Sequence, residues 1–501
     1  MAGPDSSAAA MFCGIDVGTQ GVRAVITDAD GVIVGAGSSA FRPGQRDGRR
    51  HEQDPATWWD ALGSAVRTAT ATAGHPPIAA VALDATSGTV LVEDRNGDAA
   101  GPALMYDDGR AGLQGERVRT LGAEHWAARG MQVQDSWALP KVVWLLESGQ
   151  VTPGSRVVHQ ADHLTRRLVG SPTATDTSHA LKTGVDLQTG RWPDALFAEL
   201  GIPSDILPDV VVPGTVLGLI GPTGHRWTGL PAGTPVRAGM TDGCASQIAT
   251  GALPLGSWCS TLGTTLVIKG STAVPVSDTS GAVYSHRNPD GGWLPGGASN
   301  IGAGAIAQAF PDATPADLDR LAARAQVPAP GVSYPLSGIG ERFPFIAPDA
   351  TGFLAQDVRA SGDDARRFAA VCQSVAYAEL LAYEIFGTLG ADVSGLVALA
   401  GGGSRSEWWN QLRTDVLGRA TYRPRSSEAA TGMAILAAAA PGELTATAHR
   451  MVHIERRYEP DPDRRATLLP GYRALLTELA SRQWLSPQMA EQLLTGRTLA
   501  S

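Results

Sequence analysis

Two short stretches, one opening each half of the chain, restrict the fold more than anything else in the sequence. The first, FCGIDVGTQGVRAVITDADG (residues 12–31), is an apolar run that stops at Gly18-Thr19-Gln20-Gly21, resumes, and stops again at Asp30-Gly31 before Val32-Ile33-Val34. It reads as three short strands joined by two tight turns. The second, SWCSTLGTTLVIKG (residues 257–270), is another apolar hairpin, turning on Gly263-Thr264. Either turn alone is ordinary scaffolding. Set at the head of each half, they describe a repeated unit. Asp16, at the mouth of the first turn, is a residue that scaffolding does not need.

A length of 501 residues exceeds one ordinary core, so two domains are expected. The division falls near residue 250, giving 11–250 and 251–485 after a disordered tail over residues 1–10. Hydrophobic residues make up 43 % and charged residues 18 %, a globular, soluble balance. No apolar run approaches the roughly 18 residues of a membrane span. The opening MAGPDSSAAA lacks the basic and apolar regions of a signal peptide. A net charge of −9 argues against nonspecific nucleic-acid binding. Cys13, Cys244, Cys259 and Cys372 form no Cys-x-x-Cys pair, and reduced core cysteines suit the cytoplasm.

The lysine count excludes two nucleotide-binding devices. The only three lysines, Lys141, Lys182 and Lys269, follow Pro140, Leu181 and Ile268. No Gly-Lys pair exists, so a P-loop is impossible. The His-Arg pairs at 225, 286 and 449 continue with Trp, Asn and Met, which removes the protein-kinase signature.

Beyond the first strands, residues 42–52 read as a polar loop. A helix follows from Asp54 or Thr57, with Trp58, Leu62 and Val66 on one stripe. IAAVALDATSGTVLVEDRNG (78–97) gives strand, turn, strand and an Asn96-Gly97 turn. Residues 111–150 read as helical, as do 157–170. TPVRAGMTDGCASQIATGALPLG (234–256) carries a strand through a turn into a small-residue helix. A long helix is expected over roughly 363–389, and GLVALAGGGSRSEWWNQLRTDVLG (395–418) is strand, glycine turn and helix, with Ser404 and Glu407 in capping-box spacing. An Ala-rich helix covers 428–440.

Four groups of residues have chemical potential. The amides of the Gly18-Thr19-Gln20-Gly21 turn can surround phosphate oxygens, with Asp16 placed to hold magnesium through water. Gly401-Gly402-Gly403-Ser404 allows close approach of a flat nucleotide at a helix start. Asp242, after a strand and before small residues, is placed like a base for a hydroxyl. Asp84, Ser87, Tyr106, Asp107, Asp108 and Arg110 supply the acceptors and aromatic wall that polyols need, grouped about the Asn96-Gly97 hairpin. Taken singly, each also fits a plain turn or helix cap. Gly35-Ala-Gly37-Ser-Ser-Ala40 matches a loose dinucleotide pattern but leads into no helix, and HEQDP at 51 lacks a second zinc histidine.

The order of these motifs resembles the FGGY carbohydrate kinases over roughly residues 11–480. GIDVGTQGVRAVITDADG is similar to that family's first phosphate hairpin, and AGMTDGCASQIATGA to the segment of its catalytic aspartate. CSTLGTTLVIKG resembles its second phosphate loop, and ALAGGGSRSEWWNQLRTDVLG its adenosine loop and helix. The resemblance implies an α/β fold of two actin-like (ribonuclease H-like) ATPase domains with a cleft between them, closing around a sugar and ATP. It implies Asp242 as the base and Asp16 as the residue serving Mg2+. Gly18, Thr19, Gln20, Arg23, Gly263 and Thr264 would hold ATP phosphates, with Gly402, Gly403 and Ser404 flanking adenosine. Ser87, Tyr106, Asp108 and Asp242 would face the sugar.

Thr86-Ser87-Gly88 stands where bacterial xylulokinases have Met-His-Gly and glycerol kinases an Arg-Glu pair. With PALMYDDGRA and VVHQADHL, it looks most like a ribulokinase-like branch. The signature around DSWALPKVVWLLESG is only partly matched, with Ala138 at a position where a small hydroxyl residue or Pro is usual, and the segment near 340–380 is degenerate. The expectation is a cytoplasmic kinase, monomer or homodimer, that phosphorylates D-ribulose, without membrane or nucleic-acid partners. D-Xylulose, another polyol, a kinase relic with little turnover, and a non-catalytic actin- or Hsp70-type switch are the competing readings. Asp242 and the lack of a long partner-binding domain after residue 480 weigh against the switch.

Overall fold

The computed structural model describes residues 10–356, 358 and 362–495. The tail expected over residues 1–10 lies, except for Ala10, outside the described residues. The chain forms two compact units. The first holds the chain up to Gly251 together with His286–Gly292 and Ser426–His453. The second holds Ala252–Ser285, Trp293–Arg425 and the chain from Ile454 onward.

In the first unit, β1 (Met11–Val17), β2 (Gly21–Thr27) and β3 (Ile33–Ala40) form the antiparallel meander that the opening stretch predicts. Helix α1 (Pro55–Thr72) follows, with Asp54 as its N-cap and Pro55 at its first position. The next sheet strand is β4 (Ile78–Ala85), which pairs parallel to β1. Strands β5 (Val216–Leu219) and β6 (Pro235–Arg237) complete a six-stranded sheet in the order β5-β6-β4-β1-β2-β3. Alternation sorts the side chains of β1 by face. Cys13, Ile15 and Val17 join Trp58, Leu62 and Val66 of α1 in one buried cluster. Helix α2 (Asp242–Thr250) leaves the end of β6.

The second unit repeats the plan. Strands β7 (Trp258–Leu262), β8 (Leu266–Gly270), β9 (Val283–Arg287), β10 (Trp293–Ser299), β11 (Val397–Ala400), β12 (Thr421–Pro424) and β13 (Ile454–Tyr458) are ordered β9-β10-β8-β7-β11-β12-β13. The hairpin β7–β8 and its antiparallel partner β10 match the first meander, and β11 lies parallel to β7 as β4 does to β1. The repeat suggested by two Gly-Thr turns is therefore a repeat of whole sheets, in a two-unit α/β architecture consistent with the actin-like fold. Helix α3 (Asp364–Thr388), capped by Asp363, packs Val371, Cys372, Val375, Leu381 and Phe386 against Trp258, Leu262 and Leu266. Helix α4 is Glu407–Leu417.

The last part of the first unit is α5 (Ala429–Ala438), which packs on β1 and α2. Gly14 lets it approach, since a Cβ there would lie 1.9 Å from Ala430 O. Gly432 does the same towards α2, where a Cβ would lie 1.9 Å from Ala245 O.

Three local expectations differ from the fold. Residues 42–52 contain a hairpin, Gln45–Asp47 against Arg50–Gln53, not a loop. The helix expected over 157–170 begins with a strand, Arg156–His159, because Val157 and Val158 pair with Val92 and Leu91. Helix α4 is capped by Ser406, whose side chain accepts from Trp409 N, and Ser404 sits one turn earlier. All four cysteines are buried, and none of them forms a disulfide.

Candidate functional site

Parallel strands gather chemistry at their carboxyl ends, where chains leave the sheet and backbone groups lack ladder partners. In the first unit those ends carry three aspartates. Asp16 is near the end of β1, and Asp84 is its register partner on β4. Asp242 is the first residue of α2, just after Thr241, which bridges to Ala85 at the end of β4.

Each aspartate has a different environment. Asp16 is nearly buried and accepts from Arg23 at 3.1 Å across the antiparallel pair. Burial raises its carboxyl above the ordinary 3.8, Asp84 and Arg23 oppose that, and Glu428 adds to it. Asp84 is fully buried, and no donor reaches either of its oxygens. Burial, then the charges of Asp16 and Asp242, hold it well above 3.8. Asp242 is open to solvent at its own surface and accepts from its neighbour's amide, Gly243 N, at 2.7 Å. The surrounding protein raises its carboxyl by desolvation, and Asp16 adds to the rise. Gly243 N, Lys182 and His179 oppose it.

Four carboxyl groups with few cations among them fit the charge of a divalent metal. Among the described residues no three His, Cys, Asp or Glu side chains stand as a ready metal cage. Mg2+ keeps water and phosphate ligands and takes only one or two carboxylates from protein. Asp16, beside the first turn, would be the candidate ligand for such an ion.

The hairpin turn beside Asp16 is braced from below. Gly18 N donates to Gly21 O at 3.0 Å, leaving Thr19 and Gln20 at the tip, with Gln20 exposed. Gln53 Nε2 donates to Thr19 O at 2.9 Å, and Gln53 Oε1 accepts from Trp58 Nε1 at 2.8 Å. The HEQDP stretch thus supplies a brace, Gln53, and a helix cap, Asp54, in place of zinc ligands.

The Thr86-Ser87-Gly88 turn is pinned by residues far away in sequence. Gln160 Oε1 accepts from Thr86 Oγ1 at 2.7 Å. Lys141 Nζ donates to Gly88 O and Met105 O, each at 2.7 Å, and Lys182 Nζ donates to Ser87 O at 3.1 Å. Ser87 Oγ is buried without a protein partner. Tyr106 is about one-third exposed, its hydroxyl raised by burial and Asp107, with Thr19 opposing. Asp108 differs from expectation. It is fully buried, and its oxygens are taken by Arg110 and His51 N, so it supports the loop and does not present an open face. The Asn96-Gly97 turn closes on Asp94 and is not a centre for the group.

In the second unit the two glycine turns lie side by side. Gly263 N donates to Thr265 O at 3.0 Å, and Thr264 is exposed at the tip. Gly401 has φ +79°, and a Cβ there would lie 2.6 Å from Leu262 O. Gly403 packs on the Leu262 side chain, while a Cβ at Gly402 meets nothing within 4 Å, so Gly402 keeps an open face. Ser404 Oγ donates to Gly401 O at 2.7 Å and shapes the turn. Gln53, Gln160, Lys141 and Lys182 were not singled out from the sequence as site residues. Only the scarcity of lysine pointed towards the last two.

Comparison with known proteins finds relatives along most of the chain. The sequence profile of the FGGY family of carbohydrate kinases, N-terminal domain, matches residues 11–249, and that of the C-terminal domain matches 259–440. A xylulose kinase of Streptomyces rubiginosus is 31 % identical, covering 90 % of this chain and 91 % of that protein. An autoinducer-2 kinase of Escherichia coli K12 is 27 % identical, covering 90 % of each chain. The crystal structure of xylulose kinase from Rhodospirillum rubrum is similar with a TM-score of 0.82 at 25 % identity, covering 94 % of this chain and 99 % of that one. Sugar kinases of this family use ATP, generally with Mg2+. With matched profiles over both halves and the duplicated sheet carrying its acidic residues at the strand ends, this chain belongs to the FGGY family of carbohydrate kinases.

Proposed function

We propose that this chain phosphorylates a pentulose at the expense of ATP, with D-xylulose ahead of D-ribulose as the sugar. The observation that carries the reaction is the placement of Asp242 at the exposed start of α2, beside two more deeply held aspartates. The order of sugars follows from the xylulose kinases among the relatives, against the first expectation of D-ribulose. One observation favours D-ribulose as the second reading. Ser87 Oγ is buried without a protein partner, in a Thr86-Ser87-Gly88 turn that looks like that of the ribulokinase-like branch.

Asp242 takes the proton from the sugar hydroxyl as that oxygen bonds to the γ-phosphorus. The bond to the bridging oxygen breaks, giving sugar phosphate and ADP. The amides left at the tips of the two turns, those of Thr19 and Gln20 and that of Thr264, offer donors to phosphate oxygens, with Arg23 a cation beside the first turn. Gly402 gives adenosine a flat approach, and Gly403 and Ser404 shape the turn beneath it. Asp16 would hold Mg2+, which would supply neutralisation of phosphate charge. Ser87 and Tyr106 orient the sugar, while Asp108 holds the loop that carries Tyr106.

The test is ADP release with MgATP against D-xylulose, D-ribulose, L-ribulose, ribitol, glycerol and gluconate. Turnover on one pentulose that is lost in Asp242→Ala supports the reading and names the sugar. ADP release that needs no sugar and survives Asp242→Ala overturns it in favour of a nucleotide switch.

A further inference from the structure

The residue before Asp242 is held in a way that its own helix does not require. Thr241 is the N-cap of α2, with φ −68° and ψ 153°, yet its side chain makes no capping bond. A threonine at that position ordinarily turns its hydroxyl to an amide of the first helical turn, which stabilises the helix. Here Thr241 Oγ1 lies 3.0 Å from Ser178 Oγ, and Thr241 N donates to the same Ser178 Oγ at 3.1 Å. Thr241 O accepts from Cys244 N and Ala245 N, each at 2.9 Å, and Thr241 bridges to Ala85 at the end of β4. The amide, hydroxyl and carbonyl of Thr241 are thus all engaged, and Asp242 follows at the surface. A helix that forgoes its cap next to the candidate base places position above local stability.

Ser178 is itself tightly placed. It is fully buried on the short helix Thr177–Ala180, where Asp176 Oδ1 accepts from Ser178 N at 2.8 Å and from His179 N at 2.9 Å. Its hydroxyl has one proton and two lone pairs. One lone pair takes the Thr241 amide. The remaining neighbours are Thr241 Oγ1, His286 Nδ1 at 3.1 Å and Cys244 Sγ at 3.8 Å. His286 is buried and is grouped with the first unit. A proton on His286 Nδ1 fills the second lone pair and turns the Ser178 proton to Thr241 Oγ1, whereas a bare Nδ1 takes that proton itself. We propose that Ser178 is a positioning residue for phosphoryl transfer, its hydroxyl, oriented by His286, fixing Thr241 and with it the place of the Asp242 carboxylate. The inference rests on the reading of Asp242 as the base.

Ser178→Ala removes the acceptor of Thr241 N and the partner of Thr241 Oγ1. It is expected to lower kcat by about tenfold to a hundredfold, the loss that a small displacement of a reacting group brings, with KM for MgATP unchanged. Thr241→Val removes only the hydroxyl and should lower kcat less; should Ser178→Ala fail to fold, it takes that variant's place in every comparison. His286→Leu should share the loss of Ser178→Ala, and His286→Asn, which keeps a polar atom near the place of Nδ1, should recover most of it. Activities are scaled to the folded fraction at the assay temperature. A residue that acts through Asp242 has nothing left to position once the base is gone. Ser178→Ala is therefore expected to cost no further activity when added to Asp242→Asn, whose residual turnover is the reference. A loss of full size in that background overturns the proposal, as does an unchanged kcat in Ser178→Ala or one that falls only in step with the folded fraction. Full turnover in Asp242→Asn alone removes the base itself, and the positioning role with it. A slow Asp242→Asn beside an unchanged Ser178→Ala removes only the role of Ser178.

Discussion

Asp242 has to be ionised to accept a proton, yet its surroundings push its carboxyl above the ordinary 3.8. The sign of the pH dependence follows. As pH falls through that raised value the base is lost, so kcat/KM falls on an acid limb whose midpoint lies above that of a free aspartate. A rate profile at saturating MgATP measures it, and a midpoint at or below 3.8 contradicts the assignment. Asp242→Asn is expected to lower kcat by about a thousandfold, with ATP affinity little changed. Ser87 gives a complementary case. Its hydroxyl has no protein partner, so Ser87→Ala removes no internal bond and should leave the melting temperature near its parent value. If the hydroxyl meets the sugar, KM for the sugar rises about fivefold to tenfold, the worth of one hydrogen bond.

The elements show why some of this was legible in the sequence and some was not. The meander β1–β3 and the hairpin β7–β8 are local, and their turn residues are adjacent in sequence. Asp16, Gly18 and Gly263 could be found because strand, turn and strand fit in one short window. Gln160, Lys141 and Lys182 could not, since each reaches the Ser87 turn from a distant segment and none belongs to a residue type reserved for that task. Asp108 was misread for a related reason. A carboxylate in a polar loop looks available until Arg110 and the His51 amide are seen to occupy it. Helix α5 packs closely on β1 and α2, where Gly14 and Gly432 permit backbone contact. Gly432→Ala should cost about 2 kcal/mol by overpacking, read as a lower denaturation midpoint. Because α2 begins at Asp242, kcat should fall along with stability, a coupling absent from substitutions on the far side of α1. Lys141→Met leaves Gly88 O and Met105 O without their donor and should cost about 2 kcal/mol or more.

At the scale of the molecule, the order of the chain and the order of the fold part company. The first unit is not finished at Gly251, since Ser426–His453 belongs to it. That return has a physical basis in composition. Helix α5 is apolar all round and nearly every residue in it is buried, as expected of a helix enclosed by its neighbours. Ala430 and Ala434 form a cluster with Val25 on the sheet face opposite α1. A fragment ending at Gly251 leaves Val25, Gly14 and the inner face of α2 uncovered, an apolar surface that ordinary domains do not expose. Residues 11–251 expressed alone should therefore bind a hydrophobic dye and melt without a cooperative transition. Joining residues 426–453 to that fragment through a flexible linker should restore a sharp transition and abolish dye binding. A fragment 11–251 that already melts cooperatively and stays dark would show that the sheet and α1 suffice, and that α5 is a cover and not part of the core.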